Sequence, residues 1–192
     1  LKINTPPIKQ IAMAGMSLAA VITFYFSAPF EGEKFKSYQD SGGVWTICRG
    51  HTKGVHAGMI ATKEQCDQWF FEDIEIAEEA FDRLVPKHSS VPPNVKAATL
   101  DFIFNVGEGN FARSTLRKKL NAGQWASACN EFPKWNRVAG KVCTIKANNC
   151  YGIVIRRNRE KELCLDPNDY SGYSLGPDNI IVGIRPVQYS HE

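Results

Sequence analysis

Between Ile11 and Ala28 the chain carries eighteen residues without a charge, bounded by Lys2 and Lys9 before and Glu31 after. As a helix this run would span about 27 Å, just short of a bilayer core of about 30 Å. Residues 31–60 change character: Gly, Ser and Thr are frequent, and short β-type pieces such as GVWTIC predict a small hairpin with a turn at Gly42-Gly43. Thr62 and Gln65 then form a capping-box pattern that opens a long helix. Cys66, Phe70, Asp73, Ile74, Ala77, Phe81 and Leu84 follow at helical spacing, and VPKHSSVPP ends it. A second helix from Pro93 contains AATLDFIFNVG, apolar nearly all round, which predicts the buried centre of a helical lobe. Further helices are predicted around 112–121, 123–133 and 152–164, with NAG at 121–123 as a stop. The tail after Cys164 is rich in Pro and Gly, with a short strand expected at Ile180–Ile184. The pattern implies an α+β chain: a small β-hairpin lobe and a larger helical lobe joined by a long helix, with an N-terminal hydrophobic helix.

Composition refines this picture. Of 192 residues, 43% are hydrophobic and 22% charged, which argues for a packed core and against disorder. A net charge of +3 is too weak to predict nucleic-acid binding. Six cysteines without a CxxC pair or zinc spacing predict disulfides in an oxidising compartment, no metal, and 15 formal connectivities. Lysines before the apolar run favour a cytoplasmic N-terminus and an exported remainder. Half of the run is small or hydroxylated (Ala12, Ala14, Gly15, Ser17, Ala19, Ala20, Thr23, Ser27, Ala28), so its hold on lipid is marginal. A cleaved signal, a permanent anchor and a weak anchor that leaves the bilayer remain open, although Phe26 makes cleavage after Ala28 poor.

Candidate chemistry lies just after this run. Glycosidic cleavage needs one protonated and one ionised carboxyl. Glu31 is followed by eight residues, Asp40, five residues and Thr46, and then by Gly50-His51-Thr52. This spacing, with Gly32 and Tyr38, resembles the phage-type lysozymes, glycoside hydrolase family 24. DFIFNVGEGNFARSTLRKKLNAGQWASAC is similar to the family's central helix and following turns, and IRRNREKELCL to its last helix, so the likeness covers about residues 31–165. The uncharged N-terminal run resembles that of lambdoid-phage endolysins with a signal-anchor-release segment.

The resemblance implies three regions: an anchor segment (1–29), a lysozyme catalytic domain (30–165) and a C-terminal extension of unknown role (166–192). It implies Glu31 as general acid on a helix end, with Asp40 and Thr46 on the hairpin positioning water for inversion. Carboxylate spacing in the sequence alone does not separate inversion from retention. Glu33 is then expected to be a solvated helix-end residue. Thr52, Phe104, Asn105 and Ser114 match groove positions; Phe104 could equally be core. Arg156 matches an arginine that approaches the acid, the alternative being a solvated basic face with Arg157. His51 is expected to be structural, paired with Asp73. The family's helix packing implies Cys129–Cys164, leaving Cys143–Cys150 across a short loop and Cys48–Cys66 between hairpin and long helix. The implied activity is hydrolysis of peptidoglycan by a monomer without cofactor, tethered at the inner membrane and then periplasmic. A catalytically silent murein binder and a chitin-type glycosidase are the rival readings.

Overall fold

The computed structural model describes residues 17–27, 33–40, 43–167, 174–175 and 181–182. Helix α1 (Leu18–Ser27) leads to a two-stranded antiparallel hairpin, β1 (Lys34–Gln39) and β2 (Trp45–Cys48). The long helix α2 (Lys63–Leu84) connects this hairpin to a helical lobe. That lobe comprises α3 (Pro93–Val106), α4 (Glu108–Arg113), α5 (Thr115–Asn121), α6 (Trp125–Cys129) and α7 (Tyr151–Cys164). That lobe also holds a minimal hairpin, β3 (Arg137–Val138) with β4 (Lys141–Val142), and in the tail β5 (Ser174–Leu175) pairs antiparallel with β6 (Ile181–Val182).

Local chemistry accounts for the boundaries. At the start of α2 the Thr62 hydroxyl accepts from the Gln65 N–H, and the Gln65 side chain accepts from the Thr62 N–H at 2.8 Å. Pro93 occupies the first turn of α3, where its missing N–H costs nothing. The helix expected at 112–121 is two helices, because Ser114 takes extended backbone (φ −73°, ψ 152°) and its hydroxyl accepts from the Arg117 N–H at 3.0 Å. Likewise 123–133 becomes α6 and a 3-10 turn at Phe132–Lys134 containing Pro133, which cannot donate to a helical ladder.

The core is continuous from α1 to α7. Phe70, Phe81, Leu100, Phe102, Phe111, Leu116 and Phe132 are all buried in it. Helix α1 belongs to the same cluster, with Ala19, Ala20, Val21, Ile22, Phe24 and Phe26 buried against α2 and α3. The Phe24 ring stacks on Phe71 at 4.5 Å and meets Phe70 edge-on at 5.7 Å. The apolar run thus contributes a core helix, of ten residues and about 15 Å. Among the described residues no helix is long and apolar enough to cross a membrane. A helix that is apolar all round suits a protein interior as well as lipid.

Three disulfides pin the fold: Cys48–Cys66, Cys129–Cys164 and Cys143–Cys150, the pairings expected from the sequence. They join β2 to α2, α6 to α7, and the two ends of the segment before α7.

Candidate active site

Asp40 and Thr46 sit on either side of the β1–β2 turn, and both grip the same residue. The Val44 N–H donates to the Asp40 carboxylate at 2.9 Å, while the Thr46 hydroxyl donates to the Val44 carbonyl at 3.0 Å. The turn closes through backbone bonds from Asp40 N–H to Val44 O and from Gly43 N–H to Asp40 O, both 3.0 Å. Gly43 has φ +78°, a conformation that costs a glycine little. Thr46 is buried and Asp40 exposed, so a carboxylate facing solvent stands beside a fixed hydroxyl. Having spent its proton on Val44, the Thr46 oxygen has lone pairs with which to accept from a water. Glu31 lies outside the described residues.

Behind the hairpin, the chain turns through Gly50 (φ +104°) and returns His51 to bridge Ile47 by backbone bonds of 2.9 and 3.0 Å. The buried His51 ring stacks on Trp69 at 5.0 Å. Its Nδ1 lies 2.9 Å from an Asp73 oxygen and its Nε2 lies 2.9 Å from the Lys53 carbonyl. A carbonyl only accepts, so Nε2 carries a proton, and one further proton is held between Nδ1 and Asp73. Burial pushes the Asp73 carboxyl up, with the His51 contacts opposing it in part. Nδ1 therefore ties the loop to α2, while Nε2 pins the loop to itself.

The helical lobe presents a buried polar network that joins α1, α3 and α7. The Asp101 carboxylate receives the Arg156 guanidinium twice, at 3.0 and 2.8 Å, and also the Ser27 hydroxyl. Arg157 donates from Nη1 to both Glu160 oxygens at 2.6 Å, and from Nη2 to Asn105. Burial alone would raise the Asp101 carboxyl, but Arg156 and the bonds from Glu160 and Ser27 hold it below the usual range. Burial drives the Glu160 carboxyl well up, against the opposing charge of Arg157 and with the help of Asp101. Arg156 and Arg157 are both buried, which excludes the solvated basic face.

Other expected positions differ in their surroundings. Thr52 and Asn105 are exposed, and Phe104 is half-buried, meeting Phe70 at 5.3 Å with Arg156 at 5.9 Å from its ring. Ser114 is buried, and its hydroxyl caps α5 while donating to the Phe111 carbonyl at 2.7 Å. Glu33 precedes β1 and is partly buried, in contrast to the solvated helix-end residue expected from the sequence. Its carboxylate lies 3.3 Å from Arg49, which also meets Asp67 at 3.0 Å. Arg49 itself is buried, with its guanidinium 5.0 Å from the Phe24 ring and 5.5 Å from that of Phe70. Arg49, Asp101 and Glu160 were not singled out in the sequence. Asp101 had a signal, a lone acid in an apolar helix, which must find a cation or a proton. Arg49 had none, since its partners come from α1, α2 and the strand entrance.

The phage lysozyme family profile matches residues 28–160. The chain belongs to the phage lysozyme family. A probable prophage lysozyme of Escherichia coli is 38% identical over 138 residues, covering 69% of this chain and 77% of that protein. A SAR-endolysin of Enterobacteria phage PA-2 is 30% identical over 164 residues, covering 82% and 94%. The crystal structure of the active form of P1 phage endolysin Lyz superposes with a TM-score of 0.63 at 26% identity, covering 78% of this chain and 84% of that one. The lysozyme-like α+β architecture is thereby established, and with it muramidase activity, a glycoside hydrolysis with peptidoglycan as substrate. Among the described residues no group of His, Cys, Asp and Glu side chains could hold a metal ion.

Proposed function

We propose that this phage lysozyme cuts the β-1,4 bond between N-acetylmuramic acid and N-acetylglucosamine with Glu31 as general acid and Asp40 and Thr46 as the water-positioning pair. The observation that carries this reading is the shared grip of Asp40 and Thr46 on Val44. It holds an acceptor-only carboxylate and a hydroxyl with free lone pairs at one turn, suited to orienting a water for attack. Glu31 enters through the motif spacing alone. Inversion follows if that water lies on the face of the sugar opposite the acid. Loss of peptidoglycan turbidity should be abolished by Glu31→Gln and by Asp40→Asn, with the melting temperature retained. Full activity of Glu31→Gln would overturn the assignment, and an inactive wild type would favour a silent murein binder. Product anomer analysis separates inversion from retention.

The uncharged run 11–28 is proposed to tether the exported enzyme at the inner membrane and then to leave it, as the name SAR-endolysin suggests for its relatives. Support comes from α1. Thr23 donates to its own-helix Ala19 carbonyl at 2.8 Å and reaches the Ala97 carbonyl of α3 at 3.1 Å. The first partner travels with the helix into lipid; the second exists only in the fold. Docking on α3 thus compensates the apolar residues for leaving lipid. Gly15→Leu should deepen membrane retention, and unchanged release into the periplasm in fractionated cells would reject the tether.

A further inference from the structure

We propose that Asn105 reads an acetamido carbonyl of the glycan through its side-chain N–H2, and that Arg157 is the positioning residue that turns this end of the amide outward. The inference deepens the muramidase reading and rests on peptidoglycan being the polymer that is cut. Arg157 stands on α7 with its side chain 1% exposed, and the fully buried Glu160 receives its Nη1 on both carboxylate oxygens at 2.6 Å. The guanidinium also lies 4.9 Å from the Phe102 ring, so it is fixed from two sides. Its Nη2 donates to the Asn105 side-chain oxygen. A guanidinium carries donors only, so the end of the amide turned to Arg157 is the oxygen. The nitrogen is left on the other side.

Asn105 is exposed although its anchor is buried, and its N–H2 meets no acceptor among the described residues. It stands in the last turn of α3, next to Phe104, whose ring lies 3.6 Å from where a Cβ on Gly50 would be. Gly50 belongs to the loop that follows β2, so this end of α3 faces the hairpin whose turn Asp40 and Thr46 hold. A free amide would rotate to offer either end, because its oxygen and nitrogen differ little in shape. Held by Arg157, it presents donors before any sugar arrives, and a charge-assisted bond from a buried cation makes that choice stiff. An acetamido carbonyl accepts and cannot donate, so it matches these donors. An ammonium at the same sugar carbon only donates and does not. Sugar hydroxyls do both, so they would gain nothing from the fixed orientation.

The test uses the full chain and initial rates on soluble glycan strands from peptidoglycan, native or de-N-acetylated. The preference in KM for native strands is the quantity read. Asn105→Ala should raise KM on native strands about fivefold, the size of one neutral hydrogen bond, with kcat within about twofold. On de-N-acetylated strands KM should not change, so the preference falls about fivefold. Asn105→Asp keeps an oxygen for Arg157 and replaces the outward donor by an acceptor. Its melting temperature should equal or exceed that of wild type, while its preference falls at least as far as in Asn105→Ala. If Asn105 served only to satisfy Arg157, Asn105→Asp would keep the wild-type preference. Arg157→Lys retains a cation opposite Glu160 but loses the fork that reaches Asn105, and should lower the preference with Asn105 intact; Asn105→Asp reads the orientation without disturbing that buried pair. Wild-type preference in both Asn105 variants, or in a folded Arg157→Lys, overturns the proposal. So does an equal rise in KM on both kinds of strand, which would assign the amide to a hydroxyl. A wild type inactive on native strands would instead remove the reading beneath it, so the two failures are distinguishable.

Discussion

Replacing Phe24 by alanine should remove most of the docking energy of α1. Phe24 is 6% exposed, stacks on Phe71, meets Phe70 edge-on and lies beneath the Arg49 guanidinium. Truncating a buried phenylalanine costs about 3–5 kcal/mol, the two ring contacts and the cation falling within that figure. A loss of about 4 kcal/mol is on the order of a thousandfold in the ratio of docked to undocked helix. For a chain of this size it also lowers the melting temperature by about 8–16 °C, at roughly 2–4 °C per kcal/mol. Amide hydrogen exchange followed by mass spectrometry reads the first quantity and calorimetry the second. In Phe24→Ala, peptides covering α1 should exchange far faster than those of α5, and muramidase activity should fall with them. Unchanged protection of α1 together with a melting shift under about 2 °C would refute the claim that α1 is an integral core helix.

Separate perturbations test the other supports. Replacing Cys129 and Cys164 by serine opens a link across 35 residues, worth about 4 kcal/mol in the chain-entropy model, and the urea midpoint should fall accordingly. The short Cys143–Cys150 loop, across 7 residues, should cost only about 2 kcal/mol when opened the same way. His51→Asn strands the Asp73 carboxyl and should destabilise by about 3 kcal/mol while leaving residual activity at low temperature; a normally folded but inactive variant would make His51 catalytic instead. Asp101 titrates below its unfolded value, so its contribution is present above about pH 4 and is lost as pH falls through the depressed value. Glu160 has the opposite sign: its share is present below its unfolded value and is lost as pH rises through the raised one. Urea midpoints measured against pH should show a shallower acid limb in Asp101→Asn and a shallower alkaline decline in Glu160→Gln. Limbs parallel to wild type would reject both.

Much of the molecule was legible along the chain because it depends on near neighbours. The capping box at Thr62, the helical face of Cys66, Phe70, Ile74, Ala77 and Phe81, and the apolar α3 follow from residues within a few turns of each other. The spacing of Asp40 and Thr46 belongs to one hairpin, so sequence distance maps directly onto strand register, with Tyr38 opposite Thr46 and Gln39 opposite Trp45. The resemblance extended this to the His51–Asp73 pair and to the three disulfides. What it left ambiguous was the uncharged run, since hydrophobicity states only that water is excluded and does not say whether lipid or protein replaces it. The packing of Phe24 on Phe71, and the bonds of Thr23 and Ser27 to α3, decide that α1 lies in the protein core. Glu33 and Arg49 were misjudged or missed for the same reason. A charge reads as solvated until a partner distant in sequence is brought to it, and Arg49 gathers Glu33, Asp67 and Phe24 from three separate elements. Local periodicity and spacing therefore determine which elements form and that Asp40 and Thr46 share one hairpin. Tertiary structure decides which buried charges are paired, because pairing depends on distances between elements that no single stretch of chain encodes.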